Sequence, residues 1–226
     1  MSNTLMVSAK SDSNVDPVPE GLHPAVCVGI YDVGQQYSEK FDTTRRKCVL
    51  VFELLELPPL EMERDGQRVK LPRCLSRRFT LSLNEKAVLR AFLESWRGRR
   101  FTEAELGGFD LAKCLGIGAQ VQVMHAPGTE GRTFANISNA LPAPKGVTVT
   151  PQTPLTLFSI ANLTEPKLPA GLPEWLGKLV MESKEWDRLV VRSKAPAPAP
   201  KPASPAPAAT AAPAEAAPSS DDDVPF

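Results

Sequence analysis

From Ala25 to Val33 the β-branched residues Val26, Val28 and Ile30 fall on one side of an extended chain, and Cys27, Gly29 and Tyr31 on the other. That alternation predicts a strand. Gly29 inside it marks a bend or a close backbone approach, which the corner of a small closed barrel needs. Lys47 to Leu55 is almost continuously apolar and predicts a central strand. Between the two, Gly34 to Arg46 predicts a long hairpin loop carrying two aromatic rings and a basic cluster. Pro58 and Pro59 end the second strand, and Arg64-Asp65-Gly66-Gln67 has the composition of a turn. Arg68 to Leu83 predicts a returning strand interrupted near Pro72, with Arg77, Phe79, Leu81 and Leu83 on one face and Arg78, Thr80 and Ser82 on the other. Gln120 to His125 alternates strictly, and Arg132 to Ile137 follows after a loop rich in turn formers, so the pair predicts a terminal hairpin.

A helical period replaces the alternation twice. Val88, Leu89, Phe92, Leu93 and Trp96 form one apolar face over Glu85 to Trp96, with Asn84 placed to cap the start and Gly98 to stop the end. Thr102-Glu103-Ala104-Glu105 begins a second short helix, and Asp110 to Leu115 a further turn. Later, Pro173 and Glu174 open a helix whose stripe is Trp175, Leu176, Leu179 and Val180, and Ser183 caps another turn. About five strands, with helices ahead of the last hairpin, predict a mainly β fold: a five-stranded OB barrel with inserted helices. The expected order is a flexible arm over 1–19, the barrel over 20–145 and a short helical extension over 146–192. A disordered Ala/Pro linker over 193–219 and an acidic tip over 220–226 follow.

Charge changes this picture through its distribution. The 26 basic residues balance the 26 acidic ones, so net charge identifies no partner. From Arg64 to Arg100, however, 11 basic residues face 3 acidic ones, while acid gathers in the last residues. A basic body with an acidic end suits a protein that meets phosphates and is docked elsewhere by a cationic partner. Cys27, Cys48, Cys74 and Cys114 are irregularly spaced without a C-x-x-C pair, which favours buried free thiols of an intracellular protein over a metal site; no metal or other cofactor is expected. No apolar run reaches membrane-spanning length and no signal-peptide order is present at the N-terminus, so a soluble, cytoplasmic protein without a membrane partner is expected.

The candidate chemistry is binding. Tyr37 and Phe41 beside Arg45, Arg46 and Lys47 pair rings for base faces with cations for phosphates; equally, the rings pin the loop to the barrel, and sequence leaves both open. Tyr31, Lys70, Arg73, Arg77, Arg78, Phe79, Arg132 and Phe134 complete the candidate nucleic-acid set. The carboxylates Asp32, Glu53, Asp65 and Asp110 have no motif spacing and neither histidine has an acidic partner nearby in sequence, so catalysis is not expected.

Asp221-Asp222-Asp223-Val224-Pro225-Phe226 is a compact docking element: the carboxylates keep it solvated and Pro225 fixes the backbone that presents Phe226. It resembles the C-terminal tip of bacterial single-stranded-DNA-binding proteins, which recruits replication, recombination and repair proteins. A second resemblance is spread over Arg78-Phe79-Thr80-Leu81-Ser82-Leu83-Asn84-Glu85-Lys86, Leu93-Glu94-Ser95-Trp96-Arg97-Gly98-Arg99, Phe109-Asp110-Leu111 with Leu115-Gly116, and Thr133-Phe134-Ala135-Asn136-Ile137. These blocks are similar to phage-encoded single-stranded-DNA-binding proteins of the OB-fold type, over roughly Glu20 to Pro142. Relatives of that kind often lack such a tip, so the combination is a departure. The resemblance implies a sequence-independent single-stranded-DNA-binding protein that protects unwound DNA and acts in a bacterial host cytoplasm, while the Trp175, Leu176, Leu179 and Val180 stripe is expected either to cover the barrel or to serve as a surface for a homo-oligomer. The alternative is a replication or recombination adaptor whose barrel chiefly binds protein.

Overall fold

In the computed structural model the first strand, β1 (Gly21–Ser38), is 18 residues long, because the predicted loop from Gly34 is itself extended and only a short 3-10 turn at Glu39–Phe41 separates it from β2 (Thr43–Leu54). The structure describes residues 16–64, 67–128, 132–144, 146 and 150–194. The linker from Ala195 onward and the acidic tip, Asp221, Asp222, Asp223, Val224, Pro225 and Phe226, lie outside the described residues, as does most of the N-terminal arm. No helix among the described residues is long and apolar enough to cross a membrane.

β2 is followed by a small separate hairpin, β3 (Leu60–Arg64) with β4 (Gln67–Leu71), in which Arg64 pairs with Gln67; the Asp65-Gly66 turn read from sequence lies outside the described residues. Pro72 cannot donate a ladder hydrogen bond, and the chain breaks there before β5 (Cys74–Thr80). Next come α1 (Val88–Arg97), α2 (Glu103–Gly107), a 3-10 turn at Leu111–Cys114, and the hairpin β6 (Gly118–Pro127) with β7 (Thr133–Pro142). The main sheet runs β5-β2-β1-β6-β7, antiparallel throughout, and its two end strands β5 and β7 come into contact. The mainly β antiparallel architecture with a few helices therefore stands.

Two corrections concern α1. It begins at Val88 rather than Glu85, with Ala87 at the cap position and no side-chain cap from Asn84. Val88 is exposed; Leu89, Phe92, Leu93 and Trp96 alone face the core, because four residues suffice to span one side of three turns. Trp96 donates from its indole nitrogen to the Gly118 carbonyl at 2.8 Å, tying α1 to β6. The second short helix expected from Thr102 is present, and Thr102 and Glu105 form a capping box at its start.

The strict alternation predicted for β1 also fails, for a physical reason. Register shifts occur between Cys27 and Gly29 and between Asp32 and Gly34. A bulge inserts one residue and exchanges the faces beyond it. Cys27 and Ile30 consequently both enter the main core with Leu50, Phe52 and Phe79, while Tyr31 and Val33 enter a second core on the opposite face. Gly29 is required by the close approach anticipated for it: a Cβ there would meet the Tyr31 ring at 2.5 Å.

That second core is built by the segment after residue 150, which is not merely helical. It opens with β8 (Thr156–Ser159), a strand parallel to β1 that pairs Gly29–Asp32 on the edge β6 leaves free. α3 (Glu174–Met181) and α4 (Lys184–Lys194) follow, burying Leu176, Val180 and Leu189. α4 includes Ser193 and Lys194, so the chain is helical two residues past the expected start of the linker. Gly34 sits at φ +77°, and a Cβ on it would meet a Glu185 carboxylate oxygen at 2.7 Å and the Ser183 Cβ at 2.9 Å. Gly34→Ala is therefore expected to lower stability by about 1–3 kcal/mol, read as a lower urea midpoint.

Burial pushes the Cys27 and Cys48 thiols up to about 12 and Cys114 up to about 11, and all three are buried, whereas Cys74 is exposed; all four are free. A thiol-labelling reagent should react quickly with one cysteine in the native protein and with all four after denaturation; fast labelling of more than one would contradict the packing of the main core.

Candidate nucleic-acid interface

β2 and β5 pair so that Lys47 lies opposite Thr80 and Val49 opposite Arg78, with Gln36 of β1 opposite Arg45. Residues alternate across a strand, so Arg45, Lys47 and the row containing Arg78 share the face turned away from the main core. Arg45 and Arg78 are exposed, and neither meets a carboxylate or any hydrogen-bond partner among the described residues. Lys47 is half-buried and donates to the Thr80 hydroxyl at 2.7 Å. Its ammonium pKa is lowered, first by burial and then by Arg78 and Arg45. Three cations that repel one another, with no acid between them, form a site that an anion would relieve.

Arg46 is different. It points to the other face, where its guanidinium pairs with both carboxylate oxygens of Asp32. Burial alone would raise the Asp32 pKa, but hydrogen bonds from Arg46, the Ser159 hydroxyl (2.7 Å) and the Gly34 N–H (3.2 Å) outweigh it, and the net shift is downward. Asp32 thus neutralises Arg46 and fastens β8 to β1. Tyr37 lies on this same face of the hairpin, opposite Thr44, exposed, with its hydroxyl donating to Asp42 at 2.8 Å. Phe41 is the most exposed ring of the turn, with the Lys40 ammonium 5.6 Å from its centroid. The hairpin tip therefore presents both rings to solvent, and neither pins it to the sheet.

Three candidates are used up by the fold. Tyr31 is buried in the second core, 6.5 Å from the Phe158 ring, and cannot stack on a base. Phe79 is buried against Phe92, centroids 4.8 Å apart, because its face of β5 closes over α1. Arg77 shares that inward face: its guanidinium lies 5.0 Å from the Phe79 centroid and 5.1 Å from that of Phe92, and it donates to the Ser138 carbonyl. Burial lowers its pKa. Arg77 is thus a strut between β5 and β7, and of the Arg77-Arg78 pair only Arg78 remains open to phosphate.

The others are scattered. Lys70 pairs with Glu61 at 3.2 Å on the β3–β4 hairpin, and Arg73 donates to the Pro58 and Asp16 carbonyls at 3.2 and 3.0 Å. Arg132 and Phe134 are exposed at the β6–β7 hairpin, where a Cβ on Gly128 would meet the Phe134 ring at 2.0 Å, so the ring lies across the glycine. Sequence reading missed the parts played by Asp32, Thr80 and Glu53. The available signal was an acid inside an apolar strand, since a carboxylate there must be paired or hydrogen-bonded. Among the described residues no group of three His, Cys, Asp or Glu side chains is placed to hold a metal ion. Neither the known protein families nor the curated proteins provide a match for this chain.

The lowered folded-state pKa of Asp32 means that its contribution is present above the unfolded value, about 4, and is lost as pH falls through the folded value. Asp32→Asn should destabilise the protein by about 1–3 kcal/mol at pH 7. The gap to the parent should close in acid, as followed by denaturation at stepped pH.

Proposed function

We propose that this is a sequence-independent single-stranded-DNA-binding protein of the OB type, acting stoichiometrically rather than as an enzyme. The observation that carries the reading is the Arg45, Lys47 and Arg78 cluster, without a carboxylate partner among the described residues and set on a strand face beside a hairpin whose Tyr37 and Phe41 rings are open to solvent. Cations at this spacing take up phosphates, while exposed rings stack bases at about 1–3 kcal/mol each without regard to sequence. Phe134 and Arg132 offer the same pair of groups on the β6–β7 hairpin. Strand order supports the barrel: α1 lies in the connection from β5 to β6, and Arg77 bridges the sheet's two ends to Ser138, an arrangement that suits a small OB barrel.

In this role the protein covers unwound DNA during replication or recombination in the cytoplasm, of a bacterial host if phage-encoded. Asp221, Asp222, Asp223, Val224, Pro225 and Phe226 recruit processing enzymes whose pockets supply a socket for the ring and cations for the carboxylates. The Ala/Pro spacer that tethers this tip raises the partner's local concentration without any new contact.

Fluorescence titration against oligo-dT, a matched duplex and single-stranded RNA at several salt concentrations tests the reading. Tight, salt-dependent preference for a single strand is expected, with a log–log slope of roughly −0.7 per phosphate neutralised. Replacing Arg45, Lys47 and Arg78 together by alanine should flatten the slope by about 2, and Arg46→Ala much less, since Asp32 already neutralises it. No preference for single strands would overturn the proposal and favour the adaptor.

A further inference from the structure

The face of β2 that carries Arg45 and Lys47 continues through Val49 and Val51 to Glu53, and its environment changes completely along the way. Arg45 is exposed and Lys47 half-buried; Val49 and Glu53 are both 1% exposed. What covers the far half is the stretch from Gln152 to Ile160. Glu53 is the anchor: one carboxylate oxygen accepts the Gln152 N–H at 2.9 Å and the other the Thr153 N–H at 2.7 Å. On the neighbouring strand, which pairs Cys74 with Glu53, the Cys74 sulfur lies 3.8 Å from the Thr153 hydroxyl oxygen. The chain then enters β8, and Phe158 and Ile160 seal the second core over Tyr31, Val33 and Val49.

This strap has two properties that bear on the path of a nucleic acid. From Thr150 to Leu163 it contains no charged residue, so it offers no cation for phosphate contact in place of the surface it hides. Beneath it lies a carboxylate whose two oxygens are both satisfied. Lifting the strap would expose that negative charge in line with Lys47 and Arg45 and would strip two charge-assisted hydrogen bonds and an apolar seal at once. A phosphate chain therefore gains nothing by displacing it and would be repelled by what it uncovers.

We infer that the strap Gln152–Ile160, anchored by Glu53, is a fixed boundary of the single-strand path: the strand crosses Arg45, Lys47 and Arg78 and ends before the rung of Glu53 and Cys74. This rests on the single-strand reading above and adds to it a short footprint. Glu53 is then a positioning residue that limits the site without touching the strand. The footprint on oligo-dT lies at the low end of the ~4–16 nucleotides that OB folds span.

The test uses the full chain and oligo-dT of increasing length, followed by amide NMR. Amide signals of Arg45, Lys47, Arg78 and Thr80 should move on titration, while those of Gln152, Thr153 and Phe158 hold their positions and their protection from hydrogen exchange. Loss of protection at Gln152 and Thr153 on binding would overturn the inference while leaving the single-strand reading intact. Absence of any shift at the basic cluster would overturn that reading instead. As an independent check, Thr153→Cys should form a disulfide with Cys74 when two thiols are oxidised by diamide, fastening the strap to β5. Oligo-dT affinity within twofold of the reduced form is expected, and a tenfold loss on oxidation would show that the strap has to open. Failure of the pair to cross-link would contradict the docked strap itself.

Discussion

A strand buried on both faces has to satisfy every backbone N–H and C=O along two edges, and β1 meets that constraint by changing partners. β2 runs along one edge from Ala25 to Ser38, while the other edge is taken first by β6, over Gly21–Val26, and then by β8, over Gly29–Asp32. Two bulges turn the strand's faces between the partners, so that one element supplies Cys27 and Ile30 to the main core and Tyr31 and Val33 to the second. The main sheet and the segment after residue 150 depend on each other through this strand. An unpaired edge at Gly29–Asp32 would leave buried polar groups without partners, each at a cost of about 1–3 kcal/mol.

The distribution of charge follows from the same arrangement. Wherever an ionisable side chain falls under the extension it is tied off: Asp32 by Arg46 and Ser159, and Glu53 by two backbone N–H groups. Where the extension stops, Arg45, Lys47 and Arg78 are left without counter-charges among the described residues. The same face of β2 thus passes from an apolar, sealed half to an open, cationic half within a few residues.

The aromatic residues divide along the same line. Phe52, Phe79, Phe92 and Trp96 form a connected set of tilted and edge-on pairs in the main core, with Arg77 laid over two of the rings. Tyr37, Phe41 and Phe134 sit at hairpins where no second layer reaches them. None of these rings is enclosed by a core, so each keeps a face open for the base stacking proposed for it.

Much of this was open to reading along the chain. Local chemistry determined the β1 and β2 strands, the break at Pro72, the Thr102 capping box, the terminal hairpin and the buried face of α1, because each depends on residues within a few positions of one another. The cluster of Arg45, Lys47 and Arg78 was legible as chemistry, in that cations beside rings were recognisable. Its membership was not. Whether Arg46 is free depends on Asp32, 14 residues away, and whether Arg77 or Arg78 faces solvent depends on which side of β5 closes over α1. Nor could alternation place Ile30 correctly, since one bulge exchanges the faces of everything beyond it. The extension escaped sequence reading most completely: Gln152–Ile160 is uncharged and short, and it becomes a strand only because β1 presents an open edge and Glu53 waits for two N–H donors about 100 residues away. Sequence by itself determined the strands and helices whose signals are local, and where positive charge is dense. Only the tertiary structure decided which of those charges remain unpaired, because pairing across a sheet is settled by register and by partners distant in the chain.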